Sequence, residues 1–345
     1  MSFWNLFSRD HRTNCLAWRH SDRNPAIPAT GETWKKFWTA NPDVLEFAGK
    51  RLLYYRGNGF VAEGDGTRHD RIGVAEILSL GTDAIEIQDL NGGLPIVDIG
   101  EPGAFDAWHV LDPATIVFRG EVWLYYSAIG DGAESVGLAR SSDGIHFEKV
   151  GKVLEGRAPD VVARDDGLAM LYQIPTADGH HEFFLAHSRD GIRFQPRAGA
   201  PVFSRGACGW DSRDVVTGRL LCEGDEFYLL YGGSSSLIDQ PDAFGLARSQ
   251  DLIHWERHPG NPVFGCGPKG TEDGGAIWFP ALIEREEAFV LLYEGSRGNY
   301  QGDLSSQICM ASIPRIHSAE AAGGHDRTRR GGTAVERSAG AVFPL

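Results

Sequence analysis

Trp210-Asp211-Ser212-Arg213-Asp214-Val215-Val216 leads, through a turn, into Glu226-Phe227-Tyr228-Leu229-Leu230-Tyr231. The same arrangement occurs four more times. Asn41-Pro42-Asp43-Val44 precedes Leu52-Leu53-Tyr54-Tyr55, and Asp112-Pro113-Ala114-Thr115 precedes Trp123-Leu124-Tyr125-Tyr126. Ala158-Pro159-Asp160-Val161 precedes Met170-Leu171-Tyr172, and Phe279-Pro280-Ala281-Leu282 precedes Leu291-Leu292-Tyr293. Each unit is a short apolar segment that opens on Asp or Pro, followed by a turn and an aromatic-rich β segment.

A second repeat follows the first in three units. Gly137-Leu138-Ala139-Arg140-Ser141-Ser142-Asp143-Gly144-Ile145-His146-Phe147 is restated from Phe184 to Phe194 and again from Gly245 to Trp255. Asp-Gly between two β runs signals a tight turn, so each copy reads as the third strand, turn and fourth strand of a small sheet. Units recurring at intervals of roughly 45–70 residues, with four strands apiece, are the signature of propeller blades. The expected fold is therefore an all-β, five-bladed β-propeller of four-stranded blades.

The fifth unit lacks a fourth strand, and the N-terminus supplies one. Trp18 precedes Asn24-Pro25-Ala26-Ile27 by the same interval that separates Trp255 from Asn261-Pro262-Val263-Phe264. The segment from Leu16 to Arg19 is thus expected to pair with Gln307 to Ile313 and close the ring without a free edge. Residues 1–314 read as one propeller domain, and residues 315–345, rich in Gly, Ala and Arg without a period, as a disordered tail.

With 47 acidic against 33 basic residues, the formal charge of −14 argues against a nucleic-acid or anionic-membrane partner. The expected partner is a neutral small molecule. The first thirteen residues carry no apolar h-region and no run reaches the length of a membrane span, so the expected location is cytoplasmic. Cys15, Cys208, Cys222, Cys266 and Cys309 are scattered without a C-x-x-C, which fits reduced structural thiols, no zinc and no cofactor.

In a propeller the first strand of each blade lines the axis, and alternate residues share a face. Taking Asn41/Asp43, Asp112/Ala114, Ala158/Asp160, Ser212/Asp214 and Phe279/Ala281 as equivalent aims carboxylates from four blades at one axial volume, with Asp211 just before it. Such crowding should push pKa values apart. The plainer reading of any one of these residues is a turn cap. Trp38, Trp108, Trp210 and Trp278 lie just before inner strands, where a flat ring can stack on a sugar; the plainer reading is blade packing. Arg56, Glu294 and Arg297 follow second strands and are further substrate-binding candidates. His109 and the His180-His181 pair are lesser candidates for the chemistry.

The Asn-Pro-Asp-Val and Leu-Asp-Pro-Ala starts, the Leu-Tyr-Tyr strands and the Ser-x-Asp-Gly-Ile-x-Phe hairpins together resemble the five-bladed β-propeller glycoside hydrolases, the group that includes families 43, 32, 68, 117 and 130. The resemblance runs from about Cys15 to Ile313. It implies a glycosidase that acts on small carbohydrates, with a glycoside phosphorylase, a transglycosylase or a catalytically inactive carbohydrate-binding propeller as alternatives, and with a base or nucleophile on the first blade, a pKa-setting Asp on the third and an acid on the fourth. These roles fall on Asp43, Asp160 and Asp211. The chain departs from the pattern in three places: Asp211 is not Glu, Arg213 stands where Pro is usual, and Asp43 follows its Pro. Asp112, Asp214 and Glu272 are the alternatives. Bases and acids reaching across the axis from blades 1 and 4 imply an inverting mechanism.

Overall fold

The computed structural model describes residues 4, 18–31, 33–61, 66–298 and 304–314. The proposed tail, 315–345, lies outside the described residues. Five antiparallel four-stranded sheets form. Blade 1 comprises Trp38–Phe47, Lys50–Phe60, Arg68–Leu80 and Ile85–Asp89; blade 2 comprises His109–Phe118, Glu121–Ile129, Ser135–Ser141 and Glu148–Glu155. Blade 3 comprises Arg157–Arg164, Gly167–Pro175, His181–Ser188 and Gln195–Pro196. Blade 4 comprises Asp214–Glu223, Glu226–Ser234, Ala243–Ser249 and Glu256–Arg257, with Phe264–Gly265 also paired to its third strand. Blade 5 comprises Ala276–Glu284, Ala288–Ser296 and Ser306–Pro314, and its fourth strand is Arg19–His20 from the other end of the chain.

First strands of successive blades touch one another all the way round, blade 5 against blade 1 included. They form the inner ring. Arg19 pairs with Ser312 and His20 with Ala311, so the ring closes as the sequence predicts; residues 16 and 17 of the expected strand lie outside the described residues. Asn24 clasps Met310 through both its main-chain groups, as Asn261 clasps Leu246 in blade 4, which accounts for the matching Asn-Pro stretches. Between neighbouring blades lie apolar cores rich in Tyr, Leu and Phe.

Every inner strand carries the same irregularity. Asn41, Asp112, Ala158, Thr217 and Phe279 adopt positive φ of 46 to 54°, each at a β-bulge that interrupts pairing with the second strand. A bulge leaves an N–H unpaired, and the residue that follows is Pro in four blades and Gly218 in the fifth. Non-glycine residues held at positive φ on five equivalent strands mark the level at which the backbone is strained. That level is the floor of the candidate site.

The bulges also correct the register of blade 4. Thr217, not Ser212, is its counterpart of Asn41, so Arg219 occupies the place of Asp43 and Asp160, and Asp214 stands where blade 2 has His109.

Candidate active site

Arg219 extends from blade 4 into the axis. Its Nη2 donates to the carbonyls of Pro42 at 3.2 Å and Pro113 at 2.8 Å, its Nη1 lies 3.4 Å from Asp160 Oδ1, and its guanidinium covers the Phe279 ring at 5.4 Å. One side chain thus touches all five blades at the level of the bulges. Asp160 also accepts the Leu220 N–H, and Asp43 makes the corresponding bond to the next blade, taking the Thr115 N–H at 2.7 Å and hydroxyl at 2.6 Å. Both carboxylates therefore tie one inner strand to the next. Burial pushes Asp160 up to about 7, with Arg219 opposing and Asp43 adding to the rise.

Asp211 lies apart from the axis. Its Oδ2 accepts the Tyr231 hydroxyl at 3.0 Å and Arg257 Nε at 3.0 Å. Blades 2 and 5 repeat this arrangement, with Asp106 held by Tyr126 and Lys149 and Asp273 by Tyr293 and His20. Trp210 packs on Tyr231 with ring centroids 5.4 Å apart, and a Cβ on Gly233 or Gly245 would meet its ring. For Trp210 the sugar-stacking expectation gives way to blade packing: these glycines in the second and third strands make room for it inside blade 4. Arg213 is exposed at the surface.

A different set of groups converges above Arg219, where inner strands begin and second strands end. Arg56 bridges two carboxylates, with Nη2 3.2 Å from Glu294 Oε1 and Nε 3.6 Å from Asp70 Oδ1. Asn41 donates to Glu294 at 2.7 Å, Asn58 donates to Asp70 at 2.8 Å, and His109 Nδ1 lies 2.9 Å from Asp70 Oδ2. On the far side Arg157 donates to Asp239 at 3.0 Å and approaches His181 Nε2 at 3.3 Å, while Asp214 holds the other face of that ring at 2.9 Å. Asp112 stands between these halves. It is 1% exposed, and neither carboxylate oxygen has a hydrogen-bond partner of good geometry.

Such placement separates the acids by proton affinity. Burial pushes Asp112 up to about 6, against the pull of Arg157, Ser127 and Arg56. Burial likewise raises Glu294, although Arg56 opposes it. Asp70 goes the other way: burial would raise it, but Arg56, His109 and Asn58 together hold its carboxyl below the usual range. The site thus holds two carboxyls of raised proton affinity, Asp112 and Glu294, and one of lowered affinity, Asp70.

At the rim, Trp108 is 47% exposed, lies parallel to the His69 ring and donates to Asp131 at 3.3 Å. Trp278 forms a buried wall, its indole N–H on the Asp239 carbonyl at 3.0 Å and its backbone paired with Glu294. Glu272 and Arg297 form an ion pair on the loops of blade 5. Of the residues singled out from sequence, Arg56, Asp112, Glu294, His109 and Asp214 come together, and Trp108, Trp278, Glu272 and Arg297 flank them. Asp43, Asp160, Asp211, Trp210 and Arg213 do not join that cluster. Asp70, Asn58, Arg157 and Asp239 are additional, and Arg219 with Asp160 lies beneath them.

Solved structures share this architecture. The fold is that of the five-bladed propeller glycoside hydrolases and phosphorylases. A glycosyl hydrolase from Bacteroides ovatus matches with a TM-score of 0.66 at 16% identity, over 86% of this chain and 93% of the other. The β-1,2-mannobiose phosphorylase of Listeria innocua, solved with β-1,2-mannobiose, matches with a TM-score of 0.67 at 13% identity, over 87% and 97% of the two chains. A third structure comes from work on mannoside phosphorylases of family GH130 that contain hydrolases targeting β-1,2 mannosidic linkages in Candida mannan. It matches with a TM-score of 0.65 at 18% identity, over 86% and 93%. No protein-family model and no curated protein sequence matches the chain.

Proposed function

We propose that the chain is a glycoside hydrolase that acts on small, neutral glycosides with inversion at the anomeric carbon. The observation that carries this is the opposed setting of two carboxyls in one cluster on the propeller axis: Asp112 is buried without a hydrogen-bond partner of good geometry, which raises its proton affinity, while Arg56, His109 and Asn58 surround Asp70 and lower its own. Asp112 serves as general acid, giving its proton to the glycosidic oxygen as the C–O bond breaks. Asp70 serves as general base, taking a proton from the water whose oxygen bonds to the anomeric carbon from the opposite face. Trp108 offers a flat apolar surface to the sugar ring, and the Arg56–Glu294 and Arg157–Asp239 pairs present hydrogen-bonding groups to its hydroxyls.

Charge pairing favours water over phosphate as the attacking group. Arg56 is bridged by Glu294 and Asp70, Arg157 by Asp239 and Arg297 by Glu272. Inorganic phosphate would have to compete with a carboxylate for each of these cations, beside the further carboxyl of Asp112. A panel of nitrophenyl glycosides assayed with and without phosphate tests this reading. Turnover independent of phosphate, with first-formed sugar of inverted configuration by proton NMR, is the expected result. Turnover that requires phosphate would replace hydrolysis by phosphorolysis, and binding without turnover across the panel would leave a ligand-binding propeller.

A further inference from the structure

Asp214 and His181, both buried, and Arg157 and Asp239, partly buried, form a chain that ends beside Asp112, and its hydrogen bonds fix which ring nitrogen of His181 carries the proton. Asp214 Oδ1 accepts the main-chain N–H of His181 at 2.6 Å, and its Oδ2 accepts the main-chain N–H of Asp239 at 2.7 Å. Both oxygens are therefore acceptors, and the His181 Nδ1 that meets Oδ2 at 2.9 Å must be the donor. From the opposite side Arg157 Nη1 approaches Nε2 at 3.3 Å, and a guanidinium has only donors to offer. Two neighbours, on different blades, thus demand the same state: neutral imidazole with Nδ1 protonated and Nε2 accepting. Asp214 and His181 are 1% and 4% exposed, so water does not substitute for either partner.

We propose that His181, locked by Asp214, is a positioning residue that holds Arg157 against Asp239 and beside Asp112. The proposal rests on the reading of Asp112 as the general acid. Arg157 has two fixed contacts, Asp239 Oδ2 at 3.0 Å and His181 Nε2, and its charge acts on Asp112. A second proton on His181 would set two cations 3.3 Å apart and release the guanidinium. The charged and titratable groups that face the ring are Arg157 on its own blade and Asp214 and Asp239 on blade 4. The adjoining His180 is engaged by Asp178 at 2.8 Å and Glu182 at 4.0 Å.

Two NMR measurements on the full-length protein test this without any substrate, so their outcome stands apart from whether the chain turns over glycosides. Long-range proton–nitrogen spectra of nitrogen-15-histidine-labelled wild type should show His181 as the Nδ1–H tautomer at pH 7; an Nε2–H tautomer or an imidazolium there overturns the proposal. Carbon-13 carboxyl titration, with Asp112 assigned through Asp112→Asn, supplies the second readout. His181→Asn keeps a donor for Asp214 and removes the acceptor for Arg157, so the Asp112 midpoint should rise by about 1 pH unit or more, as expected when a neighbouring opposite charge is lost. His181→Gln restores an acceptor near the Nε2 position and should return most of that shift. An unchanged midpoint in folded His181→Asn, or equal shifts in both variants, overturns the proposal, and if neither variant folds the wild-type tautomer decides.

Discussion

Arg219 of blade 4 lies 3.4 Å from Asp160 of blade 3, at the point where the axis is closed by contacts to all five blades. Both side chains are buried, so each needs the other and the surrounding carbonyls to offset its desolvation. Arg219→Met removes the guanidinium and leaves Asp160 buried beside Asp43. Loss of about 3–5 kcal/mol of unfolding free energy is expected at pH 8, measured by urea denaturation, because one partner of a buried pair has been removed. Adding Asp160→Asn to that variant should recover part of the loss. Unchanged stability in Arg219→Met would contradict the mutual dependence of Arg219 and Asp160.

Asp112 should make the protein less stable as pH rises. Its ordinary value of 3.8 is raised to about 6 in the folded state, so its favourable contribution is fully present below the ordinary value and is lost as pH climbs through 6. Asp160, raised to about 7, adds the same trend over a slightly higher window. Asp112→Asn should therefore be more stable than wild type at pH 8, by on the order of 2–3 kcal/mol, with the advantage vanishing below pH 4. Thermal denaturation of both proteins across that range checks it; a variant less stable than wild type at pH 8 would contradict the burial of an ionising Asp112.

The Asp211 cluster should behave as architecture. Replacing Asp211 with Ala leaves Tyr231 and Arg257 without their acceptor and should cost about 1–3 kcal/mol. Asp106→Ala and Asp273→Ala, which break the matching clusters of blades 2 and 5, should cost a similar amount. A profile in which only Asp211→Ala abolished turnover, with stability intact, would separate it from its two counterparts.

The blades, their hairpins and the closing N-terminal strand were all legible from local signals: aromatic second strands, Ser-x-Asp turns and paired Asn-Pro stretches. Ser141, Ser188 and Ser249 bind their turns through the same hydroxyl contacts, so the three copies of that repeat mean the same thing in space. Blade 4 misled because Asp211-Ser212-Arg213-Asp214 looks like an inner-strand start, whereas its inner strand bulges at Thr217-Gly218, with Gly in the place of Pro. A signal was present. Tyr55, Tyr126, Tyr172, Tyr231 and Tyr293 follow Asn41, Asp112, Ala158, Thr217 and Phe279 at one constant interval, which Ser212 breaks. Asp70, Arg157 and Asp239 carry no such mark, because they reach the site from a third-strand start, a first-strand start and a loop respectively. Their convergence depends on how neighbouring blades pack round the axis, which no local pattern encodes.

The central claim is that chemistry is centred on Asp112, with Asp43 and Asp211 serving the scaffold. The most direct measurement is kcat, on the best substrate of the glycoside panel, for folded Asp112→Asn, Asp43→Asn and Asp211→Asn. Asp112→Asn should lose on the order of 10²–10⁴-fold, the share that general acid catalysis supplies, while the other two keep most of their turnover. Wild-type kcat in Asp112→Asn together with loss of turnover in Asp43→Asn would contradict the account and return the chemistry to the first blade.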